Sequence, residues 1–322
     1  MKLISLKNIM AVTAIGLLST ACHHKNLYDE DITYQEIEVV FDWRNAPDAN
    51  PESMALYLFD QVGNKPIRYI FSGRDGGTIR LPYGNYNTIA MNADDTDWAY
   101  DTNTGDIDNF ETVTHEVHPD VANSTYSAHV SRGESTKIVE TPGMLWSDRI
   151  DGFSVSPEDY NTKKTLTLYP EEAVCHYTIK IINVENLDSL SNLNIDGLLS
   201  GLAEGFVHGQ QDFGNDNVIM PFQLTADVSS HELNGSFLTF GESSEEDHTD
   251  VMSLYIDLAD GSRWYRNFDV TEQIHNAPDP RHVLIIIDGL ELPKHQSETG
   301  QSGSGITANV KEWQRVDILL GM

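Results

Sequence analysis

His115-Glu116-Val117-His118 sets two imidazoles around a carboxylate, the residue types of a zinc-dependent hydrolase. A zinc helix needs its histidines four apart on one face. Here the second falls at i+3, with Pro119 behind it. The neighbours favour a strand, so a solvated strand end is expected. Asp94-Asp95-Thr96-Asp97 and the stretch Asp101 to Asp108 gather carboxylates, the oxygen chemistry that calcium takes. An EF-hand loop carries its glycine sixth, whereas Gly105 stands fifth with Asp101 as the first position, so an acidic loop is expected. Gly300-Gln301-Ser302-Gly303-Ser304-Gly305 invites a phosphate cradle or a nucleophilic serine. A P-loop requires Lys-Ser/Thr next, where Ile306-Thr307 stands, and a nucleophile elbow requires glycine where Ser304 stands. A flexible linker fits better. Among 50 acidic residues no glycosidase pair is singled out. Trp98-Ala99-Tyr100 is the best candidate for a sugar platform, with packing as its plainer role. The sequence therefore names no catalytic residue, no metal ligand and no cofactor.

Cys22 is placed for a different reaction, acylation. Lys2 and Lys7 precede an apolar stretch from Ile9 to Leu18, then Leu17-Leu18-Ser19-Thr20-Ala21-Cys22 follows. Basic residues, a short apolar core and a small-residue site make an export signal. About 10 apolar positions are too few to span a bilayer, which needs about 20. The cleavage region resembles a bacterial lipobox, departing from it at Ser19 where the commonest pattern has leucine. Residues 1–21 are expected to be a lipoprotein signal peptide, Cys22 the acylated first residue and 22–31 a polar tether. An ordinary secretory signal with a chance cysteine is the alternative. With Cys22 acylated, only Cys175 remains, so no intrachain disulfide can form. Cys175 lies in an apolar run and reads as a buried small hydrophobe.

Length and charge narrow the class. The 322 residues suggest about two domains. Lys and Arg number 20 against 50 Asp and Glu, a net charge of −30. A phosphate polyanion would be repelled, which argues against nucleic acid as a partner. The same sign argues against adhesion to anionic lipid.

Period-two alternation dominates the elements that must position these residues. In Gln35–Trp43, Ile37, Val39, Phe41 and Trp43 share one face while Glu36, Glu38 and Asp42 share the other. Strands are expected at Met54–Phe59, Ile67–Phe71, Thr78–Leu81, Tyr86–Met91, Tyr126–Val130, Lys137–Glu140 and Thr165–Tyr169. Ala173–Val184 is the longest β-rich run, and Ser236–Phe240, Val251–Leu258, Val283–Ile287 and Ile306–Leu320 follow. Short strands punctuated by Gly, Asn, Asp and Pro predict β-sandwiches. A helix is expected where Leu187, Leu190, Leu198, Leu199, Leu202 and Phe206 fall at helical spacings, despite Gly197, Gly201 and Gly205. A shorter one is expected after a Thr271 cap. Two halves result, 32–169 and 170–322.

Val40-Phe41-Asp42-Trp43, Leu81-Pro82-Tyr83-Gly84-Asn85-Tyr86, Asn92-Ala93-Asp94-Asp95-Thr96, Phe268-Asp269-Val270-Thr271 and Ile287-Asp288-Gly289-Leu290-Glu291-Leu292-Pro293 occur in that order. With the Cys22 signal they make the chain resemble the fimbrillin-like lipoproteins of Bacteroidales. The resemblance implies an all-β chain of two tandem transthyretin-like Greek-key sandwiches, with a minor helix in the second. It also implies a lipid-anchored place at the outer membrane or cell surface, with other pilus subunits or surface proteins as partners. The implied role is pilus subunit, anchor or tip, and no catalytic residue comes with it. In processed fimbrillins a protease cuts after an Arg that follows the first strand, leaving a groove for a neighbour's strand. Arg44 stands at that position, and Ile37, Val39, Phe41 and Trp43 would be the side chains leaving the groove. A surface glycan-binding lipoprotein is the alternative role, and a secreted hydrolase a third.

Overall fold

The computed structural model describes residues 34–62, 65–93, 99–100, 114–116, 137–159, 162–244 and 248–294. It is all-β, as the alternation requires. The first half holds β1 (Tyr34–Phe41), β2 (Ser53–Asp60), β3 (Ile67–Ser72), β4 (Gly76–Pro82) and β5 (Gly84–Asn92). Three short strands follow, β6 (Ala99–Tyr100), β7 (Thr114–Glu116) and β8 (Lys137–Ile138). Then come β9 (Trp146–Val155), β10 (Lys164–Leu168) and β11 (Glu171–Glu172).

β1 is the middle of a three-stranded sheet, antiparallel to β4 and parallel to β10. A five-stranded sheet runs β11-β9-β5-β2-β3. Ile37, Val39 and Phe41 meet Met54, Leu56 and Leu58 in one buried cluster between these two sheets. β2 reads Ser-Met-Ala-Leu-Tyr-Leu-Phe-Asp because both its faces are covered. Its even positions fill that cluster, and Ala55, Tyr57 and Phe59 join the core of the second half. A strand buried on both sides loses its polar alternation.

The second half contributes β12 (Cys175–Glu185), β13 (Asn194–Ala203), β14 (Gly205–Val207), β15 (Asp212–Phe213), β16 (Asn217–Asp227) and β17 (Glu232–Thr239). It continues with β18 (Val251–Asp257), β19 (Arg263–Asp269), helix α1 (Thr271–His275) and β20 (His282–Glu291). Its large sheet runs β19-β18-β13-β16-β17-β12-β20, and β8 from before residue 169 pairs with β16. A smaller sheet, β15-β14-β7-β6, likewise mixes strands from either side of residue 169. Chain order and packing therefore divide the molecule differently.

Three expectations are corrected. Residues 187–206 hold no α-helix. A 3-10 turn at Leu187–Ser189 leads into strands β13 and β14. β13 is mostly buried, with apolar residues on both faces, which imitates helical spacing. Its glycines are steric: a Cβ at Gly197 would lie 2.2 Å from the Phe222 ring, and Gly201 has φ +86° at a break in the β13–β16 register. Trp43 is not in the first strand, which ends at Phe41. It opens a 3-10 turn, Trp43–Asn45, because the Asp42 carboxylate accepts from the Arg44 amide. Thr271 is the first residue of α1 rather than its cap, which is Val270. The expected strands at 126–130 and 306–320 and the glycine-rich stretch at 300–305 lie outside the described residues.

Candidate functional site

The first strand and its end form the site read from sequence. Ile37 is fully buried, and Val39 and Phe41 nearly so. Phe41 meets the Phe71 ring edge-on at 5.5 Å. Trp43, though beyond the strand, packs edge-on against Trp146 at 6.1 Å, and its indole N–H donates to the Arg74 carbonyl at 2.8 Å. The Asp42 amide donates to the Leu168 carbonyl at 2.8 Å, carrying the ladder one residue past β1. Arg44 faces outward with 64 % of its side chain exposed. It pairs with Asp42 and lies over the Tyr169 ring at 4.7 Å. That guanidinium holds the Asp42 carboxyl below its usual value. These four apolar side chains and Arg44 are thus contiguous. Cys22, the expected lipid site, lies outside the described residues.

A second constellation went unread. Glu242, His248, Asp250 and His275 each present a ligand atom, and the four atoms lie within 4.8 Å of one another. Glu242 pairs with Leu202 across an isolated bridge, His248 and Asp250 lead into β18, and His275 ends α1. His248 Nε2 lies 3.5 Å from Glu242 Oε1 and 3.5 Å from Asp250 Oδ1. His275 Nε2 lies 2.5 Å from Glu242 Oε1 and 3.4 Å from Asp250 Oδ2. The Asp250 side chain is fully buried, yet neither of its oxygens has a hydrogen-bond partner. Burial pushes this carboxyl up to about 7.

The backbone around Asp250 is held on two sides. Its amide donates to the Thr271 hydroxyl at 2.9 Å, and its carbonyl accepts from Val270 at 2.9 Å. Gly201 forms the wall, since a Cβ there would fall 1.6 Å from Asp250 Oδ1. Two faint signals were available: His248 and Asp250 at i and i+2, and a histidine in the last turn after Thr271. Nothing in the sequence reveals that a loop and a distant helix meet. A looser group, Glu172, His176 and His282, sits at the β12–β20 register pair His176–His282.

The model of the family described as Domain of unknown function (DUF5119) matches residues 21–223. The chain belongs to this family. No curated protein matches the sequence. The DUF5119 chain is similar in fold to a candidate adhesin from Bacteroides ovatus, at a TM-score of 0.64 and 18 % identity, covering 83 % of this chain and 95 % of that one. It is similar to a candidate polysaccharide-binding protein from Bacteroides thetaiotaomicron, at a TM-score of 0.53 and 14 % identity, covering 79 % and 90 %. The fimbrial anchor protein Mfa2 from Porphyromonas gingivalis is a more distant likeness, at a TM-score of 0.48 and 14 % identity over 80 % and 90 %. Among the described residues of this DUF5119 protein, no helix is long and apolar enough to cross a membrane.

Proposed function

We propose that the chain is a cell-surface protein held at the outer membrane by lipid on Cys22 and working by protein–protein contact, as a fimbrial subunit, anchor or tip. One observation carries this reading. β1 is the central strand of its sheet, and an exposed arginine stands three residues past its end. Removing the segment through Arg44 would leave β4 and β10 each with an unpaired edge. It would also open pockets where Ile37, Val39, Phe41 and Trp43 had been. Each such side chain is worth about 1.5–3 kcal/mol of burial, so an incoming strand would gain both ladder bonds and pockets. Left uncut, the same strand closes the sheet and suits a terminal or anchoring member. The fold likeness to a candidate adhesin, spanning 95 % of that protein, supports a binding role over catalysis.

Crosslinking intact cells and sequencing what is joined to this chain tests the proposal. Covalent partners that are themselves β-rich surface proteins are expected. A chain that stays uncrosslinked but binds immobilised glycans would overturn the proposal in favour of the glycan-binding alternative.

A further inference from the structure

The cluster of Glu242, His248, Asp250 and His275 takes no part in strand exchange. Its donors are two imidazole nitrogens and two carboxylates, three from the β17–β18 connection and one from α1. A tetrahedral zinc ion bonds such atoms at about 2.0–2.1 Å, which sets donor atoms about 3.3 Å apart. The His–carboxylate pairs at 3.4 and 3.5 Å, two of which reach different oxygens of Asp250, are close to that spacing, the 2.5 Å pair has to open, and the whole set lies within 4.8 Å. Asp250 supplies the independent sign of a ligand. Its carboxylate is fully buried and accepts no hydrogen bond, with only the His248 and His275 imidazoles at 3.4–3.5 Å, an arrangement that a cation shared by all three would satisfy. The walls are built to leave room at that carboxylate, because any side chain at Gly201 would occupy it. Exposure is graded outward, from Asp250 at 0 % and His248 at 8 % to Glu242 at 31 % and His275 at 40 %, which gives an ion a path from solvent.

We propose that these four residues bind a divalent transition-metal ion, zinc by their donor chemistry, in a closed site that fastens α1 to the β17–β18 connection. Mixed nitrogen and carboxylate donors in a four-fold set suit zinc; calcium and magnesium prefer six or more oxygens. Four protein ligands leave no open position, so the ion has a structural role. What it steadies is specific. The Gln273 side chain in α1 donates to the Ile286 carbonyl at 3.1 Å and accepts from the Ile286 amide at 2.8 Å. The helix thereby caps backbone groups of β20, the last strand of the large sheet's path. The Glu172–His176–His282 group makes a useful contrast. It is more exposed, with His176 bonded to Glu172 at 3.1 Å and His282 to Asp279 at 2.9 Å.

Equilibrium titration of the purified full-length chain with zinc, after chelator treatment, tests the site. One tightly bound equivalent is expected, together with slower amide exchange at Ile286 and a visible absorption band of tetrahedral geometry when cobalt replaces zinc. His275→Ala, which alters a half-exposed side chain, should weaken zinc binding at least about tenfold. Glu242→Gln should do the same, while His282→Ala leaves affinity unchanged. Calcium and magnesium should not compete. Zinc binding that survives both His275→Ala and Glu242→Gln, is lost in His282→Ala, or is absent from the wild-type chain overturns the proposal.

Discussion

The Oγ of Ser147 lies 2.7 Å from Nδ1 of His208, and both residues are fully buried. Ser147 belongs to β9 of the five-stranded sheet, and His208 follows β14 in the second half. Gln211 donates both to the His208 carbonyl at 2.8 Å and to Ser147 Oγ at 3.3 Å. The Phe206 ring stands edge-on to the imidazole at 5.3 Å. The two halves are thus joined by a neutral polar contact inside an apolar seam.

Burial of that imidazole makes the fold acid-sensitive. Burial pushes the His208 ring down to about 3, against about 6.5 in the unfolded chain. Between those values the unfolded chain binds a proton that the folded chain refuses. The stabilisation is fully present above about pH 6.5 and is lost as the pH falls through the window toward 3. Denaturant unfolding at pH 7 and pH 5 should show a loss from this group on the order of 2 kcal/mol. His208→Gln should lack that increment, and equal losses in the two proteins would refute it.

The first strand should separate burial from exposure sharply. Phe41→Ala should cost about 3–5 kcal/mol, since a ring packed on Phe71 leaves a cavity. Arg44→Ala should leave stability nearly unchanged, because its ion pair is solvated. An arginine-specific protease acting on native protein should cut after Arg44. The released segment should stay attached through the ladder bonds of β1 until denaturant is added. Chemical denaturation and gel filtration of the digest measure these outcomes.

Gly201→Ala should destabilise the chain by more than the 1–2 kcal/mol or so of its left-handed backbone alone. The new methyl also displaces the Asp250 carboxyl, so zinc affinity should fall with the melting temperature. Thermal unfolding with and without zinc distinguishes this from a simple backbone effect. An alanine variant that melts like the parent would contradict it.

The core crosses residue 169, the boundary expected from sequence. Tyr57, Phe59, Ile89, Met91, Val139 and Leu145 pack into the cluster of the second half. A fragment Pro170–Met322 should keep β-type circular dichroism, bind a hydrophobic dye and melt below the full chain. An equal melting temperature without dye binding would show that the second half is self-sufficient.

The all-β fold was legible because strands with one wet face alternate. β1 shows this plainly, with Ile37, Val39 and Phe41 inward and Glu36 and Glu38 more open. β13 was misread because burial on both sides erased its alternation, leaving leucines at spacings a helix shares. β9, β16 and β19 were missed. β9 carries Asp148, Arg149, Asp151 and Gly152, a run that reads as a loop until the sheet pairs it with β5. The position of Arg44 beyond the first strand was legible because it is local, one turn past β1. The Glu242–His275 cluster was not, since the tertiary fold joins residues more than thirty positions apart.

Mass spectrometry of filaments sheared from native cells tests the proposed contact between this chain and other surface proteins most directly. The chain should be recovered in the filament fraction at a fixed ratio to the major subunit. Its first peptide should begin either at acylated Cys22 or at Asn45, directly after Arg44. A chain abundant in washed membranes but missing from the filaments would contradict the account.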